Sequence, residues 1–164
     1  SDMQCQMSLG VPFGIISTNG VDCSDIVWVG KPETDQLIGR KFIHGVNDCY
    51  GLIKDYYKVK YSITLPEYPR DWEWWNKGKN LYIDGFSDAG FEIIPSSEAS
   101  VGDMWLAQVR SPVINHGGVM YEPDIVLHHP GSKKPIDNSA LSRREPVVRW
   151  APYISLWLRH KELK

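Results

Sequence analysis

The sequence predicts an α+β domain, because one strongly periodic helical stretch is followed by three stretches of sheet-forming residues at period two. In the first, Cys49, Leu52, Ile53 and Tyr56 fall at i, i+3, i+4 and i+7, while Lys54, Asp55 and Lys58 face the other way. The sheet stretches are residues 103–110, 114–121 and 125–128, separated by Ser111-Pro112 and Glu122-Pro123-Asp124. Together they describe an antiparallel meander covered on one side by a helix that begins at Cys49. An N-terminal arm or linker is expected over residues 1–36 and the main domain over residues 37–164.

The 164 residues suit one domain, long enough to bury about 70% of the surface that the unfolded chain would expose. A hydrophobic content of 42% and a charged content of 23% are ordinary for a globular protein. With 18 basic and 20 acidic residues the net charge is -2, so no basic field draws the chain to nucleic acid or to an anionic membrane. No apolar run approaches the ~18 residues of a membrane span, and Ser1-Asp2-Met3-Gln4 does not read as a secretory signal. Neither nucleic-acid binding nor membrane insertion is expected. Cys5, Cys23 and Cys49 are an odd number without zinc-finger spacing, which leaves at least one thiol free.

Taken in order, residues 1–36 are punctuated by Gly10, Pro12, Gly14, Gly20, Gly30 and Pro32, which suits an arm with one or two short strands. Residues 37–43 lead into the cysteine helix, which Asn47 or Asp48 can cap and which should end near Val59. Residues 67–75 are dense in aromatics; Trp72, Trp74 and Trp75 form either a rigid cap over the core or one wall of a carbohydrate or peptide groove. A second helix is expected over residues 80–89 with Leu81, Phe86 and Ala89 inward, then a short strand over 91–94. Residues 130–144 look loop-like, and 147–150 with 153–158 can supply closing strands.

The chemistry centres on Cys49. A thiol in the first helical turn lies near unpaired N–H groups and the positive end of the macrodipole, which favours thiolate, although a buried structural cysteine fits the same stretch. A nucleophilic thiol needs a base that is itself oriented. His116 opens a strand and is followed by Gly117 and Gly118, which let another backbone approach closely. His128 can lie beside it across the hairpin, whereas His129 points to the opposite face. The same Cys49, His116 and His128 could hold a catalytic zinc, but the close ligand pairs of such motifs are missing, so no metal or other cofactor is expected. The oxyanion hole would use the backbone N–H of Cys49.

These motifs, Asp48-Cys49-Tyr50-Gly51-Leu52, Val101-Gly102-Asp103-Met104 and Asn115-His116-Gly117-Gly118-Val119 through Leu127-His128-His129, resemble those of the NlpC family of papain-like cell-wall peptidases. Residues 39–57, 74–82 and the His128-His129 pair are most similar to the NlpC domains of phage tail-tip proteins. The resemblance implies a papain-like α+β core and cleavage of amide bonds in peptidoglycan stem peptides. It also implies association with other tail-tip proteins, synthesis in the host cytoplasm and action from the virion tail tip at the bacterial wall. It assigns Cys49 as nucleophile, His116 as base and His128 as the third polar residue; apart from the resemblance, Trp72, Trp74, Trp75 and His129 are candidate groove residues.

Two departures stand out. Phe42 occupies a place where many members have a tyrosine near the site, so a hydroxyl must come from elsewhere, with Tyr50 the candidate and Asp48 a further support. The metalloprotease-like domain of such tail-tip proteins has a histidine motif, and residues 1–36 contain no histidine. The rival expectation is a catalytically silent plug or adaptor of the tail tip.

Overall fold

The computed structural model describes residues 13–29 and 36–163. Cys5, Gly10, Pro12, Gly30 and Pro32 lie outside the described residues. The chain divides after Asp35 into two compact units. In the first, β1 (Phe13–Ile15) pairs antiparallel with β2 (Val27–Val29), in register Phe13 to Val29. Asn19 tightens the intervening turn, its side-chain oxygen accepting from the N–H groups of Val21 at 2.9 Å and Asp22 at 2.8 Å.

The second unit carries the site. It opens with β3 (Lys41–Ile43) and α1 (Cys49–Tyr61), which starts where the periodicity places it. Asp48 is the N-cap, its Oδ1 accepting from Gly51 N–H at 2.9 Å. The helix runs two residues past Val59 and stops at Ser62, whose φ of 58° turns the chain left-handed while its N–H returns to the Lys58 carbonyl. Lys58 and Lys60 in the last turn suit the negative end of the helix.

The short helix α2 (Leu81–Gly85) follows, four residues shorter at its end than expected; it buries Tyr82, while Leu81, Phe86 and Ala89 pack inward against the core as expected. Then come β4 (Phe91–Ile94), β5 (Met104–Ala107), β6 (His116–Glu122), β7 (Ile125–His128), β8 (Ile136–Leu141), β9 (Arg143–Pro146) and β10 (Ile154–His160). Among the described residues six of these form one antiparallel sheet in the order β4-β10-β5-β6-β7-β9, and β8 pairs with β3. The architecture is α+β, consistent with a papain-like fold.

Strand alternation divides the core. Leu106, Val119, Leu127 and Leu158 face α1 and pack with Leu52, Ile53, Tyr56 and Tyr57. Trp105, Met120, Val126 and Trp157 face the other way, against Val147, Trp150 and Ile154. Both sheet faces are therefore covered, where the sequence suggested one. Residues 147–153 return over the second face, Val147–Arg149 as a 3-10 turn instead of a strand, anchored by Val147 N–H to the Asp124 carbonyl at 2.8 Å, while the closing strand expected over 153–158 is present as β10. The stretch 130–144 also differs from expectation, since it holds β8 and β9. Its polarity fits strands at margins: β8 pairs with β3 in a two-stranded sheet and β9 is an edge, so neither needs an apolar face.

The two glycines after His116 serve different contacts. A Cβ on Gly117 would lie 3.5 Å from Ile53 Cδ1 and 2.9 Å from the Trp105 carbonyl oxygen, so this residue lets α1 approach the strand. A Cβ on Gly118 would fall 2.4 Å from the Leu127 carbonyl oxygen, 2.8 Å from His128 Cβ and 2.9 Å from Trp105 Cζ2. Its bareness makes room for the indole and for His128. Gly118→Ala is accordingly expected to destabilise the domain by about 1–3 kcal/mol, read as a lower urea midpoint with an unchanged slope.

Candidate active site

Cys49 opens α1 and is partly buried. Its thiol is hydrogen-bonded to the hydroxyl of Tyr82 on α2, Sγ to Oη 3.1 Å, and forms no hydrogen bond to His116. Tyr50, the hydroxyl suggested by sequence, donates instead to the Pro66 carbonyl at 2.7 Å. Tyr82 thus occupies the position beside the sulfur that Phe42 cannot fill. Nothing local in the sequence marks it, because the contact joins residues 33 positions apart on different helices.

Burial, and then the adjacent Asp48 carboxylate, push the Cys49 thiol up to about 11, outweighing the hydrogen bond from Tyr82. The thiolate expected from the helix N-terminus is therefore not the resting state. Burial is the main reason, and the cap adds to it: Asp48 accepts the N–H groups of Gly51 and Gly45 and places its own negative charge next to the sulfur. Asp48 is in turn held by buried Arg70, with Nε to Oδ2 2.9 Å and Nη2 to Oδ1 3.3 Å. Iodoacetamide at neutral pH should alkylate Cys49 at least about tenfold more slowly than exposed Cys23, with the rate still climbing above pH 9. Peptide mass spectrometry reads both thiols in one sample.

The histidines lie on the other face of the sheet. Gly118 is paired directly with His128, so His116, two residues earlier on the same face, is its diagonal neighbour. His116 Nε2 lies 3.2 Å from His128 Nδ1, and His128 Nε2 lies 2.7 Å from Glu145 Oε2. The indole of Trp150 covers both rings, with centroids 4.9 Å from His116 and 4.5 Å from His128, and its Nε1–H donates to Glu145 Oε2 at 3.0 Å. Burial, with His128 as neighbour, holds His116 well below the usual histidine range. Burial likewise lowers His128 to about 4, against the pull of Glu145. Both rings rest neutral near pH 7, which leaves His116 able to accept a proton.

Sequence reasoning singled out His116 and His128 as a pair and missed Glu145 and Trp150, which reach the site only because residues 143–150 fold back over the sheet. His129 is fully buried and packs edge-on against Phe42, with centroids 5.4 Å apart. Trp74 is buried in the core. Neither has surface to line an open groove. Trp72 and Trp75 keep partial exposure and meet the ring of His44 at 5.1 and 6.2 Å. The His44 Nε2 sits 3.1 Å from the Arg70 carbonyl oxygen and 3.0 Å from that of Asp71. Among the described residues no group of three or more His, Cys, Asp or Glu is arranged to hold a metal ion.

The Gly-Asp motif is structural. Gly102 has a φ of 100° and its carbonyl accepts from the Tyr57 hydroxyl at 2.5 Å, tying α1 to the start of β5. Asp103 forms a two-bond pair with Arg159 on β10, Nε to Oδ1 2.8 Å and Nη2 to Oδ2 2.7 Å.

Comparison with known proteins gives a consistent picture. A family model described as the NlpC/P60 family matches residues 27–150. The chain is 40% identical over 127 residues to the tail tip assembly protein K of Escherichia phage lambda, covering 76% of this chain and 59% of that protein. It is 31% identical over 128 residues to the tail tip assembly protein K of Escherichia phage N15, covering 77% of this chain and 51% of that protein. The chain thus spans only somewhat more than half the length of these relatives.

Proposed function

The chain belongs to the NlpC/P60 family, and from that premise we propose that it is a cysteine peptidase of a phage tail tip that cleaves amide bonds in peptidoglycan stem peptides. The observation that carries the reading is the packing of α1 on β6. Ile53, one helical turn after Cys49, lies against Gly117, so Cys49 and the backbone of His116 belong to one helix–strand contact, with the His116 ring on the other face of the sheet.

In the proposed reaction the Cys49 sulfur attacks the amide carbonyl carbon as its proton passes to neutral His116, a transfer that requires the His116 ring to come within reach of the thiol, to which it is not bonded at rest. A negative tetrahedral centre forms, met by the backbone N–H of Cys49 and by the Tyr82 hydroxyl beside the sulfur. His116, now imidazolium, gives the proton to the leaving amine as the C–N bond breaks. Water then attacks the thioester, His116 accepts its proton, and the thiol is restored as the acid departs. His128 holds the His116 ring through Nε2. Because the resting pair is neutral, the thiol proton moves during attack and not before it.

The proposed setting follows from the relatives, both named as tail tip assembly proteins: a virion tail tip contacting other tail proteins and acting on the bacterial wall. A second reading, a silent plug or adaptor of the tail tip, is favoured by one observation, the partly buried thiol bonded to Tyr82 and not to His116. Incubation with purified sacculi separates the two. A peptidase releases new amino termini, and mass spectrometry of the fragments names the cut bond; a level equal to buffer alone supports the plug.

A further inference from the structure

We propose that Glu145 is a positioning residue that sets the protonation pattern of both histidines, leaving Nδ1 of His116 as the free base nitrogen. This inference rests on the peptidase reading for its kinetic consequence, though not for its chemical content.

The two oxygens of Glu145 have separate partners. Oε1 meets the exposed side chains of Arg143 at 3.2 Å and Arg149 at 3.4 Å. Oε2 points inward, 2.7 Å from His128 Nε2 and 3.0 Å from Trp150 Nε1. An ionised carboxylate only accepts, so His128 must carry its proton on Nε2. A neutral His128 then has a bare Nδ1, which accepts across 3.2 Å from His116 Nε2–H. Neutral His116 has no second proton, so its Nδ1 is a lone pair. That nitrogen makes no hydrogen bond with the described residues.

Without the carboxylate the order can invert. A proton on His128 Nδ1 would make His116 Nε2 the acceptor and place a proton on His116 Nδ1, where it could take none from a thiol. Trp150 guards the arrangement by shielding both rings and supplying a second donor to Oε2. The other charged or titratable groups acting on the pair are Asp48 and His129 on His116, and Arg143 and His129 on His128. None of these accepts from His128 Nε2. Sequence alone does not mark Glu145, which sits 17 residues from its histidine in a polar stretch.

Long-range nitrogen–proton correlation spectra of histidine-labelled protein test the assignment directly. The expected result is Nε2–H with bare Nδ1 for both His116 and His128 near pH 7. Glu145→Gln keeps an acceptor, so the same tautomers should persist. Its kcat on muropeptides should fall about tenfold with KM unchanged, and the acid limb of kcat/KM should move to lower pH, since the lost negative charge no longer favours an imidazolium. Glu145→Leu removes the acceptor and should mix the tautomers and lower kcat further.

Nδ1–H on either ring of the wild-type protein would overturn the proposal. So would wild-type tautomers and kcat in a folded Glu145→Leu. If Glu145→Leu does not fold, an unmoved acid limb in Glu145→Gln overturns it equally. A wild-type protein that cuts no peptidoglycan yet shows the expected spectra would end the peptidase reading and leave the tautomer assignment standing.

Discussion

Cys49→Ala is expected to release no more new amino termini from purified sacculi than buffer does, a fall of at least about four orders of magnitude in turnover. The thiol is the only protein nucleophile in the proposed mechanism, and without it no thioester forms for water to attack. Cys23 is exposed in the separate N-terminal unit and Tyr82 is a hydroxyl committed to the same sulfur. Little stability should be lost, because alanine keeps the helix start and Asp48 keeps the cap. His116→Ala should be nearly as inactive. The double variant should be no worse than either single one, since residues that act as a unit do not add. Equal digestion by wild type and Cys49→Ala would remove the mechanism and leave the plug.

Arg70→Met should bring the largest loss of stability, about 3–5 kcal/mol, because it strands a buried carboxylate. Arg70 and Asp48 are both nearly inaccessible, and Asp48 takes two bonds from the guanidinium. Arg70 also donates to the Tyr68 carbonyl at 2.7 Å and lies over the Tyr50 ring at 5.0 Å. Burial alone would raise the Asp48 carboxyl. The charge and hydrogen bonds of Arg70, with the N–H groups of Gly51 and Gly45, instead lower it from 3.8 to about 2.

The pH signature has a definite sign. A depressed carboxyl stabilises the fold above its unfolded pKa, near 4, and that contribution fades as pH falls through about 2. In Arg70→Met the carboxyl keeps its burial and loses its partner, so its folded pKa should rise above the unfolded one. Protonation then relieves the variant, and the gap to wild type should narrow between pH 7 and pH 4. Urea unfolding at both values measures it. A gap that stays constant would mean that Arg70 acts through packing and not through its charge.

Within the sequence, local rules determined a good deal. The i, i+3, i+4, i+7 pattern set the start of α1 at Cys49 and offered Asn47 or Asp48 as its cap, of which the fold uses Asp48. The hairpin from β6 to β7 followed from period-two residues around Glu122-Pro123-Asp124, and it put His116 and His128 on one face. These features depend on neighbours within a few residues, or across one turn. The strands β8 and β9 were not legible in the same way, because polar residues at a sheet margin carry no apolar alternation to read.

Only the tertiary structure decided the environment of the reactive groups. The N-terminus of a helix predicts a thiolate, yet burial of the sulfur, and then the charge of Asp48, held in place by an arginine 22 residues away, leave a thiol. A hydroxyl was needed beside the sulfur, and the packing of α2 against α1 supplied Tyr82 rather than Tyr50. Glu145 and Trp150 reached the histidines because the chain after β9 turns back over the sheet. Sequence spacing specifies which side chains share a face of one element. Burial, ion pairing and proton position depend on what other elements bring to that face, and those contacts exist only in the folded chain.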